Sequence, residues 1–260
     1  MTAPMTTTIR TLLPVFGILL VTQPASAAEC LGRPDALGTA RVLTIDPANT
    51  PPVGRKQFPV TLPLAPKEVV LTFDDGPLPG STDRILAALR HECVRATFFM
   101  LGRNAAAYPG LARRVAAEGH TIAHHTFSHP LLNHMSLDRA DAEIGRGFRA
   151  VDLAAFGETA AKPKTPFFRF PGFASSPALL ALLARRGVAV FGADLWPGDW
   201  NPMTPQHERE LLLRRLTQTG GGIVLLHDTQ AKTAAMLPEL LRELKRRDYR
   251  IVHIVPTDAR

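Results

Sequence analysis

The chain has 260 residues, of which 45% are hydrophobic, and its formal net charge is +7 at neutral pH. This length is sufficient for one barrel-sized domain with a full hydrophobic core. The positive charge favours anionic surfaces in general. The basic residues form no stripe interleaved with aromatic side chains, so we expect no nucleic-acid partner.

The first 28 residues have the features of an export signal. Arg10 is the only charged residue among them, an apolar stretch covers residues 11–21, and small residues precede a cleavage site after Ala27 or Ala28. This apolar stretch is too short to span a bilayer. We therefore predict a signal peptide over residues 1–28, a secreted or periplasmic mature protein, and no transmembrane segment in the mature chain.

Residues 29–66 are rich in Pro, Gly and Thr and show no sustained periodicity, which predicts an extended N-terminal arm before a single domain over residues 67–260. The sequence has two cysteines, Cys30 and Cys93. They could pair in an oxidising compartment, but a buried Cys93 thiol is an equal alternative.

From residue 68 onward, apolar strands alternate with helices. The predicted strands cover residues 69–75, 96–100, 121–123, 167–170, 188–191, 223–226 and 250–255. The predicted helices cover about residues 82–90, 109–118, 137–156, 177–187, 205–220 and 238–247. This alternation is typical of a parallel sheet covered by helices. No GxGxxG or phosphate loop follows the first strand, which favours a barrel of seven parallel strands over an open nucleotide-binding sheet.

Polar side chains stand at or after the ends of five of the seven predicted strands, the first and the third to sixth, where a barrel places its chemistry. They are Asp74 and Asp75, His125 and His129, Arg169, Asp199, and His227. The first strand stops at Gly-Pro, and at such a corner one carboxylate can bind a metal while its neighbour faces a reacting water. We expect all five strand ends to open onto one site.

His125 and His129 are four residues apart, so one helical turn or compact loop can direct both imidazoles the same way. Together with Asp75 they form a two-histidine, one-carboxylate set that suits a divalent transition metal with open positions for water. His124 is a rival ligand, but its spacing from His129 fits a single face less well. The expected ion is Zn, with Co, Ni and Mn as alternatives.

Hydrolysis at such a site needs a base for the water and an acid for the leaving group. Asp74 is the predicted base, and His227, expected from the far side of the barrel, is the predicted acid. Charged hydrogen bonds could hold Asp74 through Arg169 and His227 through Asp199.

Two apolar residues complete the candidate site. Trp200 and Leu225 could form a wall for a small acyl methyl group, although ordinary core residues would look the same in the sequence. We retain both as candidate substrate-pocket residues.

These residues resemble the polysaccharide deacetylase family, the NodB homology domain of carbohydrate esterase family four, over about residues 67–255. The family's five motifs occur in order, at residues 72–76, 125–129, 169–173, 199–200 and 225–227. The resemblance implies a distorted seven-stranded (β/α) barrel. It also implies the following roles: Asp74 as base, Asp75, His125 and His129 as metal ligands, Arg169 as the residue that orients the base, the Gly172 amide as an oxyanion donor and His227 as the catalytic acid. Asp199-Trp200 resembles the fourth motif, and residues 225–227 resemble the fifth, with its hydrophobic pocket.

The sequence departs from the family pattern at three places. Phe170 replaces a proline of the third motif, and Gly172-Phe173 stands where Tyr-Gly is usual, so the tyrosine ring is absent from that position. His124 stands where a small or amide residue is more common. The positions assigned to metal binding and proton transfer are kept.

We predict a metal-dependent hydrolase that removes N-acetyl groups from N-acetylglucosamine-type residues of a chitin-like polymer or of peptidoglycan, and that acts as a monomer. Water activated at the metal attacks the acetyl carbon, with Asp74 as base and His227 as acid. Two alternatives stay open, an O-acetyl esterase on xylan or a related glycan and a non-catalytic carbohydrate-binding protein. A two-histidine, one-carboxylate iron oxygenase is disfavoured, because Asp74 and His227 would have no role in it.

Overall fold

A curved sheet of parallel strands forms the centre of the molecule. The structure is a computed structural model that describes residues 33–257. Within this range the strands are β1 (Thr39–Ile45), β2 (Glu68–Asp74), β3 (Thr97–Met100), β4 (Thr121–His124), β5 (Phe167–Phe168), β6 (Ala189–Val190), β7 (Gly222–His227) and β8 (Arg250–Pro256). The helices are α1 (Ser81–His91), α2 (Gly102–Ala107), α3 (Pro109–Ala117), α4 (Leu137–Phe156), α5 (Pro177–Arg185), α6 (Pro205–Thr219) and α7 (Ala231–Arg246).

The strand order makes the sheet a distorted barrel. The strands run β1-β8-β2-β3-β4-β5-β6, all parallel, and β7 pairs with β2. A parallel bridge between Leu195 and Val224 then joins the segment after β6 to β7 and closes the ring. The predicted α/β barrel of seven parallel strands, β2 to β8, is confirmed.

Alternation along β2 decides which side chains reach the barrel interior. Val69, Leu71 and Phe73 pack in the cluster between the sheet and the helices, whereas Val70 belongs to the interior cluster with Phe99 and the other inward-facing residues. Since neighbouring side chains on a strand point to opposite faces, Asp74 is directed inward like Val70. The site is therefore set by the periodicity of a buried strand.

Helix α7 differs most from the sequence prediction. Residues 238–246 of the predicted segment 238–247 are helical, but α7 begins earlier, at Ala231, and contains the proline in its interior. A proline is favoured at the first position of a helix and costs stability inside one. Here the buried side chains of Ala234, Met236 and Leu237, on the first turns of α7, outweigh that cost. The short helix α2 was not predicted.

The segment before β2 is extended, as predicted, but it also contributes the edge strand β1, which pairs with β8. Arg41 in β1 forms an ion pair with buried Glu68 at the start of β2, with an N–O distance of 2.7 Å. The sequence did not reveal this strand, because its side chains alternate between intermediate and exposed and only Ile45, at its end, is buried.

Asp194, which is buried, joins the N-terminal arm to the barrel. Its Oδ1 accepts a hydrogen bond from the Arg55 backbone N–H at 2.8 Å. Its Oδ2 accepts from the Thr61 hydroxyl at 2.7 Å and from the Ile223 N–H in β7 at 2.8 Å. One carboxylate thus satisfies donors from two separate parts of the chain.

Two sequence predictions concern residues outside the described range. Cys93 is disulfide-bonded, whereas Cys30 and the signal peptide predicted over residues 1–28 lie outside residues 33–257. Among the described residues, no helix combines the length and the apolar character needed to cross a bilayer.

Replacing Asp194 with alanine is expected to destabilise the protein by about 2–4 kcal/mol, because buried donors lose their acceptor. Denaturant unfolding of the variant measures this change. The matched control is Glu158→Ala, whose partner Lys164 is exposed, and we expect its free energy of unfolding to change by less than about 0.5 kcal/mol. Equal stability of the two variants would contradict the role assigned to Asp194.

Candidate active site

The turn after β2 separates the two adjacent carboxylates. Asp75 has a φ of 75°, in the left-handed region that non-glycine residues rarely occupy. Its N–H donates to the Phe99 carbonyl at 3.2 Å, and the Asn104 amide donates to its carbonyl at 2.7 Å. These bonds hold the unfavourable backbone conformation, so that Asp74 faces the interior while Asp75 follows the turn.

Asp75, His125 and His129 converge as predicted. The Asp75 Oδ1 lies 3.6 Å from the Nε2 of His125 and 3.6 Å from the Nε2 of His129. One ligand atom from each residue lies within 4.8 Å of the others. The Asp75 Oδ1 is buried and has no hydrogen-bond partner among the described residues. An unpartnered buried carboxylate oxygen between two imidazoles fits a divalent cation.

The protonation of His125 also suits metal binding. Its Nδ1 lies 2.8 Å from the Arg169 carbonyl oxygen, so Nδ1 carries the proton and Nε2 is left as the ligand atom. Burial lowers the pKa of His125 to about 3, although the Asp75 charge opposes this effect. The imidazole is therefore neutral, which is the form that binds metal.

The second motif folds as a compact loop and excludes the rival ligand. The His129 N–H donates to the Thr126 hydroxyl at 3.0 Å, and both residues have positive φ. His124 belongs to β4 and is fully buried. Its ring packs 4.6 Å from that of Phe148, and its Nε2 lies 3.6 Å from Asp152. His124 thus faces a different part of the core from the candidate ligands Asp75, His125 and His129.

Arg169 holds Asp74 in a fully buried ion pair. Its Nη1 donates to the Asp74 Oδ1 at 2.6 Å and to the Thr72 hydroxyl at 2.8 Å. The other oxygen, Oδ2, lies 3.8 Å from the His125 Nε2 and so faces the metal-ligand group. Burial raises the pKa of Asp74, while the Arg169 charge opposes this rise. One oxygen is fixed and the other is available to a reactant.

Asp199 fixes His227 in a matching way. Its Oδ1 lies 2.8 Å from the His227 Nδ1, and its Oδ2 accepts the His227 backbone N–H at 2.7 Å. The Nε2 is therefore the nitrogen left for the cavity. Burial lowers the pKa of His227, but the hydrogen bond and charge of Asp199, with the charges of Asp74 and Asp75, outweigh burial and raise it to about 9.

The candidate acid and the candidate base come from neighbouring strands. Asp74 in β2 is the register partner of His227 in β7. The expectation that His227 arrives from the far side of the barrel is wrong, because β7 pairs directly with β2 instead of lying next to β8 in chain order. This crossover could not be read from strand order in the sequence.

A cavity of about 420 Å³ brings the remaining predicted residues into the site. Eight of the ten predicted site residues line it: Asp74, Asp75, His125, His129, Gly172, Trp200, Leu225 and His227. The other two, Arg169 and Asp199, lie directly behind Asp74 and His227. Gly172 sits in a tight turn with a φ of 53°, which glycine adopts without strain.

Sequence reasoning missed Asp228, which directly follows His227. This fully buried carboxylate accepts from the Thr82 hydroxyl at 2.7 Å, and that hydroxyl accepts from the Leu78 N–H at 2.8 Å. A Cβ at position 76 would lie 2.0 Å from the Asp228 Oδ2, so only glycine fits there. Asp228 therefore packs against the loop that carries Asp75. Its place beside the candidate acid was the available signal.

Sequence reasoning also left the rings of Phe170, Phe173 and Trp196 unassigned, although all three line the cavity. Phe173 was noted only for the missing tyrosine of the third motif. Trp196 carries no motif signal. These side chains come together through the fold of two loops, which local sequence patterns do not reveal.

Comparison with known proteins agrees with this geometry. The family model for polysaccharide deacetylase matches residues 62–191, which is half of the chain. The chain belongs to the polysaccharide deacetylase family. The resemblance inferred from the five motifs is thereby confirmed, and the match includes the Asp74 to Gly76 turn, both candidate ligand histidines and Arg169.

Individual relatives of this chain are similar to it over most of its length. It is 32% identical over 204 residues to a peptidoglycan-N-acetylglucosamine deacetylase of Bacillus cereus, which covers 74% of this chain and 89% of the relative. It is 33% identical over 204 residues to a chitooligosaccharide deacetylase of Bradyrhizobium, covering 73% of this chain and 90% of the relative.

A solved structure shares the fold as well. The Bdellovibrio bacteriovorus peptidoglycan deacetylase Bd3279 matches with a TM-score of 0.74 and 34% identity, over 84% of this chain and 59% of that chain. Some curated relatives are also much longer than this chain, which spans 38% of their length.

The Asp75→Asn variant is expected to lose at least about 100-fold in affinity for Zn²⁺, because even residues behind metal ligands change affinity 10–100-fold. Calorimetric titration of metal-stripped protein measures this loss. His134→Ala is the matched histidine control, since His134 lies outside the cavity lining, and we expect parental affinity. Unchanged affinity in Asp75→Asn would contradict the assigned ligand set.

Proposed function

We propose that this member of the polysaccharide deacetylase family is a metal-dependent hydrolase that removes N-acetyl groups from N-acetylglucosamine-type residues of a polysaccharide. The observation that carries the proposal is that Asp74 and His227 open into one cavity with Asp75, His125 and His129. Each proton-transfer residue has its own buried partner on the side away from the cavity. This is the arrangement that amide hydrolysis needs.

Asp75, His125 and His129 would hold the cation. When bound, such a cation acts as a Lewis acid on an acyl oxygen and lowers the pKa of water. The Asp74 Oδ2 accepts the proton of the attacking water, while the Arg169 guanidinium keeps Oδ1 occupied and the carboxylate in place. Attack on the acetyl carbon then converts its carbonyl oxygen into an oxyanion.

Gly172 and His227 are the residues proposed to act in the second half of the reaction. The Gly172 backbone N–H, on the cavity wall, is the proposed donor to the oxyanion. With a pKa of about 9, His227 is an imidazolium at neutral pH and can donate its Nε2 proton to the departing amine. Collapse of the tetrahedral intermediate then breaks the C–N bond and leaves acetate and a free amino sugar. The buried Leu225 and the exposed Trp200 are the proposed wall for the acetyl methyl group.

The relatives favour an N-acetylated glycan as substrate. Those aligned over nine-tenths of their length are named for peptidoglycan N-acetylglucosamine and for chitooligosaccharides. An O-acetyl ester would need His227 less, because an alkoxide is a better leaving group than the unprotonated nitrogen of an amide. We further propose export through residues 1–28, action outside the cytoplasm as a monomer, and Zn as the bound ion.

Acetate release from an N-acetylglucosamine hexamer tests the proposal. We expect release by the parent protein, loss of release in the presence of a chelator, and recovery on adding Zn²⁺. Asp74→Asn and His227→Ala should each reduce kcat by about 100-fold or more. Chelator-insensitive release would contradict the metal assignment. In His227→Ala, the loss of activity should be smaller on an acetylated xylan, which is an ester, than on the hexamer. An equal loss of activity on the two substrates would contradict the amide preference.

The pH profile of kcat tests the roles of Asp199 and His227. Because the acid must be protonated, activity is lost as pH rises through the pKa of His227, which lies at about 9 in the parent protein. In Asp199→Asn the charge is removed while burial remains, so the pKa of His227 falls. We expect the alkaline limb of kcat to move below about pH 6.5. An unmoved limb would show that another group is the acid.

A further inference from the structure

Three aromatic side chains form a continuous wall that leads away from His227. We call Phe173, Trp196 and Trp200 the aromatic wall. The Trp200 ring lies 5.8 Å from the His227 ring, and Trp196 follows at 6.1 Å from Trp200. Phe173 lies 5.5 Å beyond Trp196, with the two rings tilted by 30°. All three line the cavity that contains the proton-transfer residues.

The side chains of the aromatic wall are exposed to solvent, whereas those of a hydrophobic core are buried. Trp200 is 51% exposed, and both Phe173 and Trp196 are partly exposed. Large apolar side chains grouped at the surface of a cleft mark binding sites, and tryptophan offers a flat apolar face together with an N–H donor. The C–H face of a pyranose ring is complementary to such a wall. The sequence has two tryptophans, and both belong to it.

The N-terminal arm places a cation beside the middle ring of the aromatic wall. Residues 53–57 run beside the segment after β6: the Gly192 N–H donates to the Val53 carbonyl, and the Lys56 N–H donates to the Ala193 carbonyl at 3.0 Å. This pairing puts the Lys56 Nζ 5.9 Å from the centre of the Trp196 ring. The position of Lys56 is therefore fixed by backbone hydrogen bonds.

The Lys56 ammonium is exposed and has no carboxylate within 4.0 Å among residues 33–257. A cavity of about 190 Å³ lies against Lys56, Trp196 and Arg215. Arg215 donates to the Trp196 carbonyl oxygen and supports the loop. Asp194 also borders this cavity, but both of its oxygens are already hydrogen-bonded. The cavity thus offers positive charge next to an aromatic face.

We infer that the aromatic wall and Lys56 bind the sugar next to the one being deacetylated, and that Lys56 pairs with a carboxylate carried by that sugar. The preferred substrate is therefore an acidic glycan rather than a neutral one. A sugar stacked on Trp196 brings a ring substituent toward the Lys56 ammonium, and charge-assisted hydrogen bonds are the strong ones. This inference rests on the proposed function for the location of the acetylated sugar.

Three ligands distinguish the effect of the glycan's charge on binding from the effect of its shape. The first is a glycan fragment with alternating N-acetylglucosamine and lactyl-bearing N-acetylmuramic acid. The second is the methyl ester of that fragment, which keeps its shape but removes its charge. The third is the neutral N-acetylglucosamine hexamer. Binding is followed by tryptophan fluorescence in an Asp74→Asn background, and turnover by acetate release in the parent background.

The Lys56→Gln variant is expected to weaken binding of the acidic fragment and raise its KM by about three- to tenfold, with kcat unchanged. Its binding of the methyl ester and of the hexamer should equal that of the parent. Trp196→Ala should weaken all three ligands by about two- to tenfold, and Trp196→Phe should restore most of the loss. Lys162→Gln is the matched control, since Lys162 lies beside Gly187 before β6, at the opposite end of the barrel.

Several results would overturn the inference. If Lys56→Gln binds the acidic fragment as tightly as the parent protein does, the proposed contact between Lys56 and the carboxylate is wrong. The same conclusion follows if Lys56→Gln loses affinity equally for all three ligands. If Trp196→Ala binds the three ligands as tightly as the parent protein does, the aromatic wall is not part of the binding site. If the protein releases acetate and this release does not depend on Lys56, this inference is contradicted and the proposed function is not. Lys56-dependent binding without acetate release from any ligand would contradict the proposed function and leave only the contact between Lys56 and a glycan carboxylate supported.

Discussion

The buried ion pair between Arg169 and Asp74 is the constraint on which the site depends. The guanidinium is fully buried and is surrounded by the Asp74 carboxylate, the Thr72 hydroxyl, the Gly192 carbonyl and the ring of Phe99. The carbonyl oxygen of Arg169 meanwhile fixes the ring of His125. One residue at the end of β5 therefore sets both the base and a candidate metal ligand. Removing one partner of such a pair leaves an uncompensated buried charge, which is strongly destabilising.

The cavity also keeps its two proton-transfer residues in different states. Burial raises the pKa of Asp74, and Arg169 limits that rise. At His227 the pKa is raised instead, because the hydrogen bond and charge of Asp199, together with the charges of Asp74 and Asp75, outweigh burial, and the imidazole holds its proton at neutral pH. Two side chains in register on adjacent strands thus differ in charge because each has a separate partner behind it. That difference allows one residue to accept a proton and the other to donate one.

Sequence reasoning reached the fold and most of the candidate site because both depend on local patterns. Apolar strands that end in polar residues located Asp74 and His227, and the parallel barrel brought those ends together. Features that depend on packing were missed. Burial of neighbouring apolar side chains allows α7 to begin before Pro238, and the pairing of β7 with β2 places the candidate acid beside the candidate base. Asp228 and Trp196 act through contacts between segments distant in the chain, for which no spacing rule exists.

The central claim is that Asp75, His125 and His129 bind one cation, with Asp74 and His227 close to it but not coordinated. Anomalous diffraction from crystals of the protein loaded with Zn²⁺, collected on both sides of the zinc absorption edge, tests this most directly. We expect a single strong peak within bonding distance of one Asp75 oxygen and both Nε2 atoms. A peak coordinated by Asp74 or His227, or zinc bound only elsewhere on the molecule, would contradict the account.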